Sequence, residues 1–368
     1  MTDARLHRPA EDRYAAELAA LERADAAQPR PPGWRLSPRA VLAFVCGAPE
    51  LDVAPKFEGP RDIVEAAIAT LASDRALLLV GPPGTAKSML SEWLSAAICG
   101  TSRLIVQGSA GVTEDHVRYS WNYALLLKEG PTPSSLKPSA VLQAMQEGRI
   151  ARLEEMTRCV SEVQDALISI LSEKELAITE MDNRVVAAQR GFNVIATANT
   201  ADKGVHEMSS ALKRRFNFVQ VPPVGDLATE ISIVKRRTAE LMADHGVRAV
   251  VPDDLVRSLV TLYGELRTGR SSAGRAAVRR VSCEVSSAQL ISTLFDGALR
   301  AAYFGSCTVT PSDLGRSIAS AFRGDAPGEV TALLDNLTQL DTARGRADPN
   351  LSLLMLAIRS HLDGARAE

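Results

Sequence analysis

The sequence predicts an α/β domain, with a parallel sheet flanked by helices, followed by a smaller all-helical domain. Short, mainly apolar runs alternate with helical stretches from Ala76 to Pro223, which is the pattern of parallel strands joined by crossover helices. After Pro222 and Pro223, apolar residues recur at helical spacing instead, as they do from Leu290 to Ala302. The length of 368 residues also fits two domains.

The first 54 residues are predicted to form a helical extension and a linker. A helix is expected over residues 11–26, and the Pro- and Gly-rich stretch that follows ends it. Ser37 and Pro38 are favoured at the N-cap and at the first helical position, so a short second helix is expected to begin there and to stop at Gly47. A third helix, over residues 61–73, leads into the sheet.

The sheet domain is predicted over residues 55–223. Its strands are expected at residues 76–80, 103–107, 150–153, 192–197 and 216–221. The rest of the chain is divided into a helical domain over residues 224–323 and a C-terminal helical segment over residues 324–368. The helices of these two parts are expected at residues 227–244, 253–266, 286–304, 311–322, 327–343 and 351–362.

The composition excludes several classes of protein. A hydrophobic fraction of 46% excludes a disordered chain. With 42 Lys+Arg against 44 Asp+Glu, the chain lacks the basic footprint of a nucleic-acid-binding protein. No apolar run approaches the ~18 residues of a membrane-spanning helix, and the charged N-terminal residues lack the apolar centre of a secretory signal. Five widely spaced cysteines, never as C-x-x-C, are typical of reduced thiols in a cytoplasmic protein.

A phosphate-binding loop is predicted at residues 81–88, Gly-Pro-Pro-Gly-Thr-Ala-Lys-Ser. It lies between an apolar run and a helix and matches G-x-x-x-x-G-K-[ST], except that Ala86 stands where the last glycine is usual. Gly81 and Gly84 would let the backbone approach a triphosphate. Lys87 would neutralise the phosphate charge, and the Ser88 hydroxyl would ligate Mg²⁺. The alternative is a Pro/Gly turn that carries a lysine by chance.

Two adjacent acids follow the apolar run at residues 150–153. Nucleotide hydrolysis needs a carboxylate for the metal shell and a base that polarises water, and we assign these roles to Glu154 and Glu155. Glu-Glu pairs are also common on solvated helices, and Arg152 weakens the strand pattern. The next apolar run ends in an amide, Asn199, which supports the assignment of a hydrolytic site.

In this order and spacing, the motifs resemble those of the AAA+ ATPases, specifically the MoxR-type branch. The resemblance covers residues 57–223 closely and the helical region to residue 322 more loosely. It identifies the loop as Walker A, Glu154 and Glu155 as the acids of Walker B, and Asn199 as sensor 1. Arg215 is then expected to be the arginine finger, with Arg214 as its support in a subunit interface. The alternative is that both arginines solvate a helix end.

The resemblance also implies the residues that contact ATP and Mg²⁺. The catalytic group is Glu155, Asn199, Arg214 and Arg215. The metal group is Ser88 and Glu154. The ATP-binding group is Phe57, Gly81, Pro82, Pro83, Gly84, Thr85, Ala86, Lys87, Ser88 and Met89. Phe57 either packs on the adenine or is a core residue.

The sequence departs from the family pattern at two places. Glu154 stands where the family usually has Asp, and its side chain reaches one methylene further. Gln289 falls where the sensor 2 arginine is expected, unless Arg279 or Arg280 takes that part. Both departures predict slower turnover, and neither removes ATP binding.

Two further stretches are open to more than one interpretation. Residues 107–149 lie where relatives carry the helix-2 insertion, and the segment Trp121-Asn122-Tyr123 is expected to project toward a central pore. Residues 267–280 are rich in arginine and lack acids. This stretch either contacts an acidic partner, the nucleotide or nucleic acid, or forms a solvated loop.

The implied activity is Mg²⁺-dependent hydrolysis of ATP to ADP and phosphate by a cytoplasmic homo-oligomer, a hexameric ring. Such a ring would act as a chaperone-like remodeller or assembly factor for a client protein, and the resemblance implies a von Willebrand factor A-domain protein as a partner. No membrane insertion is expected. The alternatives are a nucleic-acid-directed AAA+ motor subunit and an ATP-binding scaffold with little turnover.

Overall fold

The computed structural model describes residues 8–199, 206–271, 285–322, 327–344 and 348–363. The chain divides into two compact units. The α/β unit takes Met1–Pro82 and Ala86–Pro222, and the helical unit takes Pro223–Glu368 with the loop residues Pro83–Thr85. The boundary expected after residue 323 lies outside the described residues, and the one after residue 54 stays a prediction.

The α/β unit alternates helices and strands. Its helices are α1 (Ala10–Arg13), α2 (Ala15–Ala24), α3 (Pro38–Cys46), α4 (Arg61–Leu71), α5 (Lys87–Cys99), α6 (Tyr123–Glu129), α7 (Ala140–Glu147), α8 (Ser161–Glu173) and α9 (Ser210–Lys213). Its strands are β1 (Ala76–Gly81), β2 (Ile105–Gln107), β3 (Tyr119–Trp121), β4 (Leu136–Pro138), β5 (Ile150–Glu154), β6 (Glu175–Ile178), β7 (Arg184–Ala187), β8 (Asn193–Asn199) and β9 (Phe216–Gln220).

Five of the strands in the described ranges form one parallel sheet, in the order β2-β5-β8-β1-β9. Leu77 and Leu79 of β1 pack into a cluster with helices α3, α4 and α5, whereas Leu78 packs into a second cluster with α7 and α8. Both faces of the sheet are therefore covered, which explains why its central strands are apolar at nearly every position. The predicted α/β class is confirmed.

The helix expected over residues 11–26 is instead two helices, α1 and α2, interrupted at Tyr14. Tyr14 has φ −109° and ψ 27°, outside the helical region. Its ring packs edge-on against Phe44 at 5.8 Å between centroids, and the Lys56 ammonium lies 4.6 Å from the Tyr14 ring centre. These tertiary contacts override the helical pattern. The second helix begins as expected, because the Ser37 hydroxyl caps α3.

The N-terminal segment is bonded to the helix that follows the phosphate loop. The Ala10 N–H donates to Glu92 Oε1 of α5 at 2.8 Å. Just beyond α5, Ser102 donates to the Glu11 carboxylate from its N–H at 3.1 Å and from its hydroxyl at 2.7 Å. Helices α1 to α5 also share one hydrophobic cluster. The first helices are therefore part of the α/β core.

Two antiparallel pairs of strands were not predicted from the sequence. β3 pairs with β4 on either side of the short helix α6, within the insertion expected at residues 107–149. β6 pairs with β7, and the turn between them places Asp182 and Asn183 in the left-handed region, at φ 54° and 55°. Asp and Asn tolerate this conformation better than other non-glycine residues. An Asp-Asn pair between two short stretches that contain β-branched residues was therefore the available signal for this turn.

The helical unit contains the helices that its periodicity predicts. The first and last residue of each helix lie within two residues of the expected positions. They are α10 (Leu227–Asp244), α11 (Asp253–Thr268), α12 (Ser287–Phe304), α13 (Pro311–Phe322), α14 (Pro327–Arg344) and α15 (Pro349–Asp363). Among the helices that the structure describes, none is both long and apolar enough to cross a membrane.

A buried acid joins three of these helices. Arg267 of α11 donates to both carboxylate oxygens of Glu230 in α10, at 3.0 and 2.7 Å. The Ser287 hydroxyl of α12 donates to Glu230 Oε1 at 2.6 Å. Arg267 is therefore part of a structural ion pair, whereas residues 272–280 of the arginine-rich stretch lie outside the described ranges.

Candidate functional site

Three strands end side by side at the carboxyl edge of the sheet, and each ends in a predicted site residue. β1 ends at Gly81, β8 at Asn199 and β5 at Glu154. Gly81 pairs with Asn199 across the two central strands, and β5 runs along the other side of β8. In open α/β sheets, ligands bind at this edge. The fold therefore brings the predicted phosphate loop, the metal-side acid and the sensor amide to one place.

The phosphate loop turns between β1 and α5 through two residues in the left-handed region. Gly84 has φ 74° and Ala86 has φ 62°. Glycine adopts this conformation without steric cost, whereas for alanine the clash between Cβ and the following carbonyl oxygen costs about 1–2 kcal/mol. The backbone thus explains why the motif usually has glycine where this chain has Ala86.

Lys87 is the first residue of α5 and is only 6% exposed. Its ammonium donates to the main-chain carbonyls of Gly81 and Pro82 at 2.9 and 2.7 Å. The ammonium therefore lies against the loop, beside the N-terminus of α5. The free N–H groups and the dipole of a helix N-terminus favour an anion. The Lys87 ammonium and the N-terminus of α5 together supply a positive potential that favours a phosphate.

The Glu154 carboxylate is the centre of a buried hydrogen-bond network. Its Oε2 accepts hydrogen bonds from Ser88 Oγ at 2.6 Å and from Thr197 Oγ1 at 2.8 Å. Its Oε1 accepts from Ser91 Oγ at 2.5 Å and from Arg152 Nη2 at 2.8 Å. Each oxygen thus has two donors among the described residues, which fixes the orientation of the carboxylate.

Two opposing effects act on the pKa of Glu154. Burial acts to raise it, because the charged carboxylate loses its hydration. The charge of Arg152 and the hydroxyls of Ser88, Ser91 and Thr197 act to lower it, and together they outweigh burial. The pKa therefore lies below its ordinary value, and Glu154 is ionised at neutral pH.

Arg152 supports strand β5, contrary to the expectation that it weakens the strand. It lies two residues before Glu154 and so on the same face of the strand. Its side chain is 8% exposed and the Glu154 side chain 3%, and the two form an ion pair. A buried arginine is tolerated in a strand when its charge and its N–H groups are paired.

Glu155 has a different environment from its neighbour. It follows β5 in the left-handed region, with φ 52° and ψ 43°. Its N–H donates to Thr197 Oγ1 at 2.9 Å, and its carboxylate accepts a hydrogen bond from Arg158 at 3.0 Å. With 34% of the side chain exposed, this carboxylate is open to water. One acid is therefore buried and fixed, and the other is accessible.

Gly108 lies against the turn that follows β5. Its N–H donates to the Glu154 carbonyl at 2.7 Å. A Cβ atom at this position would lie 2.3 Å from the Glu155 carbonyl oxygen, closer than contact radii permit. Sequence analysis missed Gly108, although a glycine directly after a short apolar run is a signal of close backbone approach.

Sequence analysis also missed Ser91 and Thr197. Ser91 lies three residues after Ser88 and so on the same face of α5. Thr197 lies two residues before Asn199 and so on the same face of β8. This periodicity was the available signal. Only the order of the strands, however, places both hydroxyls beside Glu154.

The predicted arginine-finger residues lie at the opposite, amino edge of the sheet. The carbonyl of Arg215 accepts a hydrogen bond from the N–H of Ala76, where β1 begins. The Arg215 guanidinium donates to Ser172 Oγ at 2.8 Å and to the Ala211 carbonyl at 2.6 Å. The Arg214 side chain is exposed and forms no hydrogen bond or ion pair with the residues that the structure describes. The fold does not bring these arginines to their own phosphate loop.

The structure places the remaining predicted residues of the α/β unit as follows. Phe57 and Met89 are partly buried against the cluster that covers one face of the sheet, and whether either contacts the adenine stays a prediction. Trp121 packs edge-on against Tyr119 at 5.9 Å between ring centroids. Tyr123 is 71% exposed. Of the two aromatic residues expected to project from the insertion, only Tyr123 is open to solvent.

Gln289 lies in the first turn of α12, where its N–H donates to the capping hydroxyl of Ser286. Arg279 and Arg280, which could replace the missing sensor 2 charge, lie outside the described residues. The expectation about sensor 2 stays a prediction.

Comparisons with known proteins agree with this division of the chain. Residues 76–216 match the family described as "AAA domain (dynein-related subfamily)". Residues 228–350 match the "YehL-like AAA+ ATPase C-terminal domain". YehL of Escherichia coli K12 is 41% identical over 319 residues, which cover 86% of this chain and 87% of that protein. YojN of Bacillus subtilis is 25% identical over 218 residues, covering 58% of this chain and 67% of that protein.

Among solved structures, NtrX from Brucella abortus in complex with ADP matches with a TM-score of 0.50 and 16% identity. The match covers 83% of this chain and 63% of that one, so the chain spans less than two thirds of the NtrX structure. At this identity, the likeness shows a shared fold alone.

The left-handed Ala86 generates a prediction about stability. Ala86→Gly should raise the free energy of unfolding by about 1 kcal/mol, because relief of the backbone clash exceeds the entropic cost of glycine. Ala239→Gly, at an exposed position within α10, should lower it by about 1 kcal/mol, because that backbone is right-handed. Urea denaturation followed by circular dichroism measures both. A loss of stability in both variants would contradict the strain at Ala86.

Proposed function

The chain belongs to the AAA+ ATPases with a YehL-like C-terminal domain, and on that premise we propose that it hydrolyses ATP and remodels or assembles another protein. The observation that carries the proposal is the carboxyl edge of the sheet. There a phosphate loop with a buried lysine, a metal-side carboxylate, an accessible acid and a sensor amide lie on adjacent strands. These are the groups that phosphoryl transfer to water requires.

ATP would bind through the loop and the first turn of α5. Loop N–H groups and the helix N-terminus would accommodate the phosphate oxygens. The Lys87 ammonium lies against the carbonyls of Gly81 and Pro82, from which a small rotation of its flexible side chain would take it to a phosphate. Phe57 and Met89, which are partly buried, would contribute apolar surface for the base.

The donor set beside the loop fits Mg²⁺. Hard oxygen ligands are what this ion prefers, and Ser88 Oγ with the Glu154 carboxylate behind it supplies them. Because Ser88 donates its only hydroxyl proton to Glu154, the lone pairs of Ser88 Oγ are left for a cation. Mg²⁺ bound there with the phosphates would neutralise charge that develops during hydrolysis.

Glu155 is the residue suited to polarise the attacking water. Its carboxylate is accessible, and its backbone is fixed by the hydrogen bond to Thr197. Asn199 ends the neighbouring strand β8 and would orient the water or the γ-phosphate. The hydrogen bond that Arg158 donates to Glu155 would limit the rotation of this carboxylate.

A ring explains why the arginines lie far from their own loop. β1 runs from the amino edge to Gly81 over about 17 Å, at ~3.3 Å per residue, and no arginine side chain spans that length. A finger must therefore come from a neighbouring subunit. Arg214 is exposed, whereas Arg215 is bonded to Ser172 and Ala211. This supports Arg214 as the finger and Arg215 as its support, the reverse of the order expected from the sequence.

The client side of the proposal rests on the insertion around α6. Tyr123 and Leu127 are 71% and 89% exposed on that short helix, and apolar side chains presented this way suit contact with another polypeptide. A hexameric ring and a partner with a von Willebrand factor A domain remain part of the proposal. The near-neutral net charge of −2 argues against a nucleic-acid motor.

A scaffold with little turnover is the second candidate function. It is favoured by Gln289, an uncharged residue in the first turn of α12, where the resemblance places the sensor 2 arginine. Steady-state release of phosphate from ATP in the presence of Mg²⁺ distinguishes the two candidates.

The first of three predictions about the proposed activity concerns the lysine of the loop. Lys87→Ala should weaken ATP binding by about 10–100-fold, because a charge-assisted contact to phosphate is typically worth ~1.5–3 kcal/mol. Isothermal titration calorimetry measures the dissociation constant, and circular dichroism checks the fold. Lys128→Ala, at a lysine whose side chain is 76% exposed on α6, is the control and should bind ATP normally. Equal affinities for Lys87→Ala and the wild type would remove the loop assignment.

The second prediction separates binding from turnover. Glu155→Gln should bind ATP within about threefold of the wild type and lose turnover by about 10²–10⁴-fold, because an amide cannot accept the proton of water. Glu162→Gln, at an exposed position on α8, should retain full turnover. Phosphate release under saturating ATP is the measurement. Wild-type turnover in Glu155→Gln would place the base elsewhere.

The third prediction tests the trans arrangement. Arg214→Ala should lower turnover by about 10³–10⁵-fold, the usual effect of losing an arginine finger. Mixing it with Lys87→Ala protein should restore part of the activity, because a subunit with an intact loop then receives its neighbour's arginine. The same mixture made with a Lys87→Ala, Arg214→Ala, Arg215→Ala triple variant should stay inactive.

A second mixture, of Arg215→Ala with Lys87→Ala protein, decides which arginine enters the neighbour's site. The finger variant should lose turnover without losing ring assembly, whereas the support variant should weaken assembly as well. Absence of rescue in samples that sedimentation shows to co-assemble would rule out a finger acting between subunits.

A further inference from the structure

We infer that Arg152 is a positioning residue of the nucleotide site, where its guanidinium locks the Glu154 carboxylate and the first turn of α5 into the arrangement that aims the Ser88 hydroxyl. The inference rests on the proposed function, since it assigns a part in nucleotide and metal binding to a residue outside the motifs. Arg152 touches neither nucleotide nor metal in this scheme, and it acts through Glu154 and Ser88.

The guanidinium joins three separate segments of the chain. Nη2 donates to Glu154 Oε1 at 2.8 Å and to the Ser88 carbonyl at 2.9 Å. Nε donates to Ser91 Oγ at 2.9 Å, one turn further along α5. Nη1 donates to the Ser102 carbonyl at 3.0 Å, before β2. The rigid, planar fork of arginine can reach acceptors in several directions at once, and a lysine ammonium cannot reproduce that geometry.

The ion pair between Arg152 and Glu154 sets the orientation of the Ser88 hydroxyl. Arg152 holds one carboxylate oxygen of Glu154, and the other oxygen then faces Ser88 Oγ at 2.6 Å. Arg152 also donates a hydrogen bond to the carbonyl of Ser88. The main chain of Ser88 is therefore held by Arg152 and its hydroxyl by Glu154, the two partners of one ion pair. Without the guanidinium, Glu154 would be free to turn toward the remaining hydroxyl donors, Ser91 and Thr197. The Ser88 proton would then lose its fixed acceptor.

A purely structural ion pair would behave differently. Removing one partner of a buried ion pair is destabilising, because the other charge is left uncompensated. Replacing a purely structural Arg152 should therefore lower the free energy of unfolding without a selective effect on the Mg²⁺-dependent part of ATP binding. If Arg152 is a positioning residue, its loss should reduce the part of the ATP affinity that depends on Mg²⁺ and Ser88. The part that Lys87 and the loop supply should stay unchanged. The two roles are therefore separated by comparing ATP affinity with and without Mg²⁺.

The experiment compares Arg152→Met and Arg152→Lys with the wild type in the full-length chain. Calorimetry gives the dissociation constant of ATP in Mg²⁺ and in EDTA, and phosphate release gives kcat and KM. In Arg152→Met, we expect the gain in affinity due to Mg²⁺ and the kcat to fall by about tenfold or more, while affinity in EDTA stays within about threefold. Arg152→Lys should be intermediate, because it keeps the charge and loses the fork.

Arg30→Met is the matched control. Arg30 also bonds two main-chain carbonyls, those of Arg35 and Asp25, and lies near the buried Asp25 carboxylate. It has no contact with the loop or the strand ends, so its loss should leave the Mg²⁺-dependent gain unchanged. Glu154→Gln provides a second test. Because Arg152 acts through the Glu154 carboxylate, adding Arg152→Met to Glu154→Gln should have little further effect on the Mg²⁺-dependent gain in ATP affinity.

Each contrary result has a defined meaning. A wild-type Mg²⁺ gain in Arg152→Met, an equal loss of affinity in EDTA, or the same loss in Arg30→Met would overturn the positioning role. An undiminished effect of Arg152→Met in the Glu154→Gln background would also overturn it. Failure of the wild type to bind ATP would overturn the proposed function itself, and this inference with it.

Discussion

A carboxylate buried between a strand and a helix must be neutralised and hydrogen-bonded, and the site behind the phosphate loop is organised around that requirement at Glu154. Arg152 supplies the charge, and hydroxyls from α5 and β8 supply the hydrogen bonds. Because these donors come from three different elements, satisfying one acid fixes the relative positions of β5, β8 and the helix that follows the loop. The position of the helix that follows the loop thus depends on the ion pair and hydrogen bonds of Glu154.

The parallel sheet imposes a second constraint, since all its strands point the same way. Residues that follow strands gather at one edge, and residues that precede strands gather at the other. Gly81, Glu154 and Asn199 belong to the first group, and Arg215 belongs to the second. A site that needs members of both groups cannot be completed within one such sheet. The proposed arginine finger would therefore have to come from a second subunit.

The sequence was sufficient for the elements that have a clear apolar periodicity or motif, and it missed the short β6–β7 pair. The loop, the five strands of the sheet and the helices of the helical unit follow from periodicity and from the residue types at helix starts, such as Ser37. It was insufficient where distant segments decide the outcome. Arg152 looked unfavourable in a strand because its partners, Ser88 and Ser102, are far away in the chain. Tyr14 interrupts a helical pattern because of contacts with Phe44 and Lys56.

The bonds between the first helices and α5 link the N-terminal segment thermodynamically to the loop. Ala10 and Glu11 are bonded to Glu92 and Ser102, which lie within and just after the loop helix. Any ligand that binds only the folded loop adds RT ln(1 + [L]/Kd) to the stability of the unit that forms it. The first helices share in that added stability, so resistance of this segment to proteolysis becomes a remote reporter of occupancy at the loop.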